Sequence, residues 1–530
     1  MKKTLQMKRV LRTALIVLLL GTAKTYAQTT FTVENLNYSV NEDGVSVTVT
    51  GHIDGTAATG ELIIPESVNY EGNNYDVTVI GNDAFAHCQL NGDLVIPNSV
   101  VTIGNRAFRG IYGLNGTLTL GNAVTTIGDY AFGYCGLNGD LVIPNSVVTI
   151  GDSAFDWCNG LNGTLTLGDA VSSIGVYAFE YCGFTGDLVI PNSVVTIGDY
   201  AFDGCNGFTG SLTIGNTVTS IGECAFRLCS GFTGSLTIGN SVTSIGYGAF
   251  ANCSGFTGDL VIPNSVVTIG DGAFSTCVGL SGDLVIPNSV VTIGNGAFRQ
   301  CIGFTGSLTL SESLTYIGLQ AFSNCHFTGS LVIPSSVTTI EEGAFFQCKE
   351  FNGTLTLPEF LTEIPTGTFS ECGFTGSLII PNSVITIGTY AFINCTGFTS
   401  ITTMVEEPPI LESNVFQGIS IEELTVPCNC IPAYEASDWS TYFTTILEDC
   451  SSDVDESQES AFTIYPNPTS GFIKIEGENT QHISIFNSIG QYVYEGNATE
   501  YDLSDHEAGT YLIRIETPNG IITKRIVLTK

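Results

Sequence analysis

Residues Gly186 to Thr209 read GDLVIPNSVVTIGDYAFDGCNGFT, and this stretch recurs along most of the chain. Asp187-Leu-Val-Ile190 alternates with period two, which makes a strand with Leu188 and Ile190 facing inward. Pro191-Asn192-Ser193 turns the chain. Val194 and Ile197 point inward again, and Gly198-Asp199 turns the chain once more. Ala201, Phe202, Cys205 and Phe208 complete the inner wall. A single unit cannot bury these side chains, whereas stacked units bury them in one continuous core, like over like. The Phe of the unit returns from Phe85 to Phe416 at spacings of 23 or 24 residues. The one-residue change falls just after Cys, as in Cys135-Gly-Leu137 against Cys158-Asn-Gly-Leu161, which places that point on an outer turn. The expected architecture is a β-rich solenoid of about 14–15 rungs, each about 4.8 Å from the next.

The pattern L-x-I-P-x-S-V-x-x-I-G-x-x-A-F-x-x-C, from about Ile80 to Cys395, resembles the BspA-like leucine-rich repeats of bacterial surface proteins. That resemblance implies a leucine-rich-repeat solenoid and a role in adhesion or host contact, with no particular partner.

Composition frames the rest. The chain has 530 residues with a formal charge of −35. Six of its 16 basic residues precede Gln28, so the remainder carries 10 basic against 51 acidic residues, a net of −41. Nucleic acid is excluded as a partner, because phosphate binding needs clustered cations. Lys2 to Arg12 form a positive segment, Ala14 to Leu20 are apolar, and Thr25-Tyr26-Ala27 offers small residues at the −3 and −1 positions of a cleavage site. Residues 1–27 therefore read as a secretory signal peptide cleaved between Ala27 and Gln28. No apolar run is long enough for a membrane span in the mature form.

Residues 28–79 read as an N-terminal β cap, with a hairpin around Asn41-Glu-Asp-Gly44, and 80–427 as the repeats. Residues 428–450 read as a C-terminal cap, and 451–460 as an acidic, Ser-rich linker. The strand-like runs of 461–530 suggest a small antiparallel β-sandwich. Tyr465-Pro466-Asn467-Pro468-Thr-Ser-Gly471, Gly509, Tyr511 and Lys524-Arg525 resemble a type A sorting domain of the type IX secretion system. The resemblance implies handling by the outer-membrane secretion machinery and display on, or release from, the surface of a Gram-negative cell.

Thirteen of 17 cysteines share the slot three after Phe, and Ile111 and Ile419 replace them elsewhere. The slot is therefore apolar and its thiols behave as small buried hydrophobes. Beyond the repeats, either Cys428 or Cys430 can bridge to Cys450. Two candidate binding surfaces stand side by side. One is the outward strand face, with Asp93, Thr117, Asp140, Thr164 and Asp187 in one ladder, though β-branched residues suit strands in any case. The other is a ridge of loop aromatics: Tyr112, Trp157, Tyr177, Tyr181, Tyr200 and Tyr247. The ligand is an unknown protein or glycan, or the protein is a passive structural component. His52, His87, His326, His482 and His506 share no slot, and no nucleophile, phosphate-loop or metal signature is present. No catalytic residue, metal or cofactor is expected.

Overall fold

The computed structural model describes residues 29–450, 462–467, 469–477, 482–487, 492–517 and 520–529. The expected signal cleavage at Ala27 and Gln28, the linker 451–460 and Pro468 lie outside the described residues. The chain packs into two compact units. One comprises residues up to Leu424 together with Ala433–Ile446, the other Thr425–Pro432 together with residues from Leu447 on.

The first unit is the expected solenoid, with two strand walls per rung. Leu188–Ile190 pairs in parallel, residue over equivalent residue, with Leu212–Ile214. Leu188 and Ile190 are buried while Val189 is exposed. This wall is broken into short sheets of two to four strands. The continuous sheet lies on the other wall, built from the Thr-Ile pairs that follow the Pro-Asn-Ser turn. They run in register from Thr102–Ile103 through Thr196–Ile197 to Thr339–Ile340. The sequence reading gave that segment inward positions and no strand. The structure corrects it: Ile197 anchors the core while the residue before it completes a two-residue ladder.

Between the walls the Phe rings form a column. From Phe85 to Phe416 successive centroids stand 5.1–5.7 Å apart with nearly parallel planes. Each ring serves as the apolar neighbour of the next, the arrangement a rung cannot achieve alone. Beside the column all the ladder thiols are buried and free. They carry one refinement absent from the sequence reading. Cys135 Sγ donates to the carbonyl of Phe108 and Cys229 Sγ to that of Phe202, at 2.9 and 3.1 Å, so each thiol ties its rung to the one before.

Both ends of the column are covered. Leu36–Val40 and Ser46–His52 form the expected antiparallel hairpin, and Ser46–His52 pairs in parallel with Asn73–Ile80, which leads into the Thr-Ile sheet. At the other end Trp439 and Phe443 are buried against Phe416, at 5.4 Å each. Trp439 Nε1 donates to Pro409 O at 2.9 Å and Tyr434 Oη to Val405 O at 2.7 Å, which satisfies the polar atoms that closure buries.

The second unit contains the tail, made of antiparallel sheets. Phe472–Gly477 lies between Phe462–Tyr465 and Glu500–Asp502. His482–Phe486 lies between Tyr492–Gly496 and Gly509–Thr517, and Gly520–Leu528 forms the edge. Ile473, Ile475, Ile483, Ile485, Ile513 and Ile526 form its core.

Candidate functional site

The strand face and the loop ridge differ in what their polar groups already do. On the strand face, Asp140 Oδ1 accepts from Thr164 N at 2.6 Å and from Thr164 Oγ1 at 2.8 Å. Asp93 does the same for Thr117, and Asp187 accepts from Ser211 N. These bonds hold the carboxyls of Asp93 and Asp140 below the usual carboxylate range. The alternation of Asp and Thr rungs is thus a hydrogen-bond device joining paired rungs. A shallow cleft of about 960 Å³ on this wall, near Asp259, Val261, Asp283 and Val285, has no ring or cation in its lining.

The loop ridge is built differently. In every rung from Phe85 to Phe416, the residues two before and two after Phe adopt left-handed backbone, with φ between about 50° and 85°. Their N–H groups bond to the next rung, as Tyr130 N does to Asp152 O and Trp157 N to Glu180 O. That conformation suits Gly and Asn and strains larger residues. Many rungs obey the preference: Gly248, Gly272, Gly343 and Gly367 fill one slot, Asn252, Asn324 and Asn394 the other. Around Gly343 and Gly367 the wall recedes into a groove of about 400 Å³.

Other rungs depart from it singly, with His87, Leu228, Gln300 or Tyr390 in these slots, but four consecutive rungs carry aromatics in them. Tyr130, Tyr134, Trp157, Tyr177, Tyr181 and Tyr200 all occupy left-handed slots there. Trp157 lies 4.6 Å from Tyr181, and Tyr177 stacks on Tyr200 at 4.8 Å. Arg109 lies over Tyr130 and Tyr134, at 5.1 and 5.8 Å, and Arg227 over Tyr200 at 5.3 Å. The residue directly after Phe sits between the two aromatic slots: Asp156, Glu180 and Asp203 on successive rungs. Asp203 is fully buried and takes a two-pronged ion pair from Arg227, Nε to Oδ1 at 3.0 Å and Nη2 to Oδ2 at 2.6 Å. Burial pushes the Asp156 carboxyl up to about 6 and that of Glu180 up to about 7, the latter with help from Asp156.

The structure therefore gathers Trp157, Tyr177, Tyr181 and Tyr200. It places Tyr112 and Tyr247 in other slots of the repeat, exposed and stacked on no ring among the described residues. Tyr130, Tyr134 and the three carboxylates were not singled out from sequence. Counting two places either side of Phe would have found them.

In the tail, Asn467 Oδ1 accepts from Val527 N at 2.9 Å, and Thr469 exchanges backbone bonds with Val527 and Thr529. Tyr465 precedes Pro466 through a cis bond. Gly471 has φ of 153°, and a Cβ there would meet Ser504 at 2.7 Å. The Tyr511 hydroxyl donates to Glu507 O at 2.6 Å, and Gly509 starts the same strand. Lys524 and Arg525 lie on the edge strand opposite Ile513 and Leu512. Cys428 is bonded to Cys450, and Cys430 remains a buried free thiol. No helix among the described residues is long and apolar enough to cross a membrane.

Comparisons with known proteins place these observations. Six copies of the BspA type leucine rich repeat region match residues 78–209, 208–328, 281–396 and 315–437. The secretion system C-terminal sorting domain matches residues 463–529. A leucine-rich repeat protein from Bacteroides ovatus shares 24% identity and a TM-score of 0.53, over 79% of this chain and 99% of its own. A leucine rich cell surface protein from Faecalibacterium prausnitzii shares 24% identity and a TM-score of 0.38, over 69% and 95%. The pneumococcal vaccine antigen PcpA shares 18% identity and a TM-score of 0.37, over 80% and 100%. No curated protein matches the sequence. The chain belongs to the BspA-type leucine-rich-repeat family and is a secreted cell-surface protein that ends in a type IX sorting domain.

Proposed function

We propose that this is a non-catalytic adhesin-like protein that binds a protein partner through the aromatic ridge from Tyr130 to Tyr200. One observation carries the reading. Six aromatic residues hold left-handed backbone on four consecutive rungs, in slots that elsewhere in the array carry Gly, Asn or other polar and aliphatic residues and only one further aromatic, Tyr390. Each such placement costs about 1–2 kcal/mol relative to a relaxed conformation. Strain of this kind concentrates at functional surfaces. Trp, Tyr and Arg, the residues gathered here, are the usual anchors of protein interfaces. Sugars stack on free ring faces, but here Tyr177 faces Tyr200, Tyr200 faces Arg227, and Trp157 leans on Tyr181. The strand face offers no ring, and its carboxylates already serve neighbouring rungs. The sorting tail supports display outside the cell, where such a partner is reached.

The test presents the full chain to an array of matrix proteins, serum proteins, glycans and bacterial surface fractions. The expected result is saturable binding to a protein. A glycan hit without a protein hit contradicts the reading, as does turnover on glycan or peptide panels.

A further inference from the structure

Inside the ridge stand two carboxyl groups that no cation pairs directly: Asp156 is hydrogen-bonded to Tyr134 and to Glu180, and Arg109 and Arg227 attract the two groups only from beyond ion-pair distance. Asp156 is only 4% exposed, yet its Oδ1 has no hydrogen-bond partner. Glu180, on the next rung and half-buried, touches Asp156 and forms no ion pair. One rung further, Asp203 shows what this position requires, for it is buried with a guanidinium fully engaged on it. Arg109 is near enough to attract Asp156 but forms no ion pair with it. Arg109 lies over the rings of Tyr130 and Tyr134, and its Nε is buried without a partner. Burial of an unpaired carboxylate is unfavourable unless a proton or a cation compensates it.

Resting on the reading of the ridge as a protein-binding surface, the geometry points to a site for one arginine or lysine side chain of the partner, held by Asp156 and Glu180 between Tyr134, Trp157 and Tyr181. The incoming cation completes for Asp156 and Glu180 what Arg227 already does for Asp203. Aromatic walls favour such a group over bulk water, and the strongly negative chain attracts a basic segment over longer range. Binding also displaces protons. Asp156 faces Tyr134, Arg109 and Glu180, while Glu180 faces Asp156, Asp203, Tyr177 and Arg227. Since free Asp156 and Glu180 hold protons up to about pH 6 and 7, the cation must compete with protons below that range.

The experiment uses the full chain and two probes, acetyl-Gly-Arg-Gly-amide and its citrulline analogue, which keeps the shape without the charge. Trp157 reports the site by fluorescence. It is 47% exposed, whereas the second tryptophan, Trp439, is fully buried in the cap. The expected result is saturable binding of the arginine peptide, about tenfold tighter than citrulline at about pH 8, with preference declining by about pH 5. The double variant Asp156→Asn, Glu180→Gln is expected to lose the preference while melting no lower than wild type at about pH 8. Equal binding of the two peptides, or a preference that survives in the double variant, overturns the site. Failure here is distinguishable from failure of the ridge. If exchanging the rings abolishes binding of a protein partner that the double variant still binds, the cation site is wrong and the ridge stands. If the arginine preference holds but no protein partner depends on the rings, the ridge reading is wrong and the site stands.

Discussion

Replacing Phe298 with alanine removes one ring from the middle of the column, four rungs away from the aromatic ridge. Phe298 is fully buried, with Phe274 at 5.3 Å and Phe322 at 5.4 Å on its two faces. Truncating a buried Phe costs about 3–5 kcal/mol through lost transfer energy and the cavity left behind. Both ring stacks vanish with it, and the rungs on either side are held in place by their own hydrogen bonds, so the upper end applies, about 5 kcal/mol. That is comparable to the entire margin of many domains, about 5–15 kcal/mol. In a stacked array each rung touches only its neighbours, so the damage stays local. Hydrogen exchange read by mass spectrometry resolves this. Amides between 274 and 322 should lose about three and a half decades of protection, at about 1.4 kcal/mol per decade, while those between 85 and 132 keep theirs. Partner binding at the ridge should survive. A uniform loss along the array would refute the picture of independent stacked rungs. A local loss smaller than about tenfold would refute the claim that the ring column carries the core.

Two further outcomes follow from the titratable groups. The buried thiols, with Cys135, Cys301 and Cys395 each pushed up to about 12 by burial, should be inert to a thiol reagent at about pH 8. Denaturation without reductant should release 15 thiols and leave the Cys428–Cys450 bridge intact, and fewer would mean that rungs are cross-linked. Asp156 and Glu180 titrate in the folded chain at about 6 and 7, above their ordinary 3.8 and 4.5, so the folded state holds protons that the unfolded state releases. Their contribution to stability is therefore complete below about pH 4 and is lost as pH rises through about 7. Interaction between the two carboxyls and solvent screening at half-buried Glu180 limit the loss to about 1–2 kcal/mol. The melting temperature of the wild type, measured against Asp156→Asn, Glu180→Gln, should fall relative to the variant across that window, and parallel curves would contradict the assignment.

Much of this fold was legible in the sequence because repetition amplifies a weak signal. One LxIP segment is ambiguous, but with Phe, Cys and Gly returning in fixed slots it defines a rung. The Thr-Ile wall was missed because two residues are too few to show period two; only stacking against equivalent pairs makes Thr196–Ile197 a strand. The site was half legible. Trp157, Tyr177, Tyr181 and Tyr200 stand out as bulky residues in turns. Tyr112 and Tyr247 stand out equally, and nothing in their chemistry separates them. Position relative to Phe does, since the backbone two residues either side of it is left-handed and points side chains to one wall. The role of Asp140 was illegible for another reason. An exposed carboxylate looks available until its bond to Thr164, a full rung away in sequence, is seen.

The most direct measurement compares three full chains on the same array: wild type, a ridge variant and a strand-face variant. The ridge variant exchanges Trp157→Asn, Tyr181→Asn, Tyr177→Gly and Tyr200→Gly, the residues that fill these slots at Asn252, Asn324, Gly248 and Gly272. It relieves backbone strain and should fold as well as wild type. The strand-face variant carries Asp140→Ala and Asp187→Ala. The account predicts that protein binding is lost in the ridge variant and retained in the strand-face variant. Binding that persists without the rings, or that disappears with the two aspartates while the fold is kept, would contradict it.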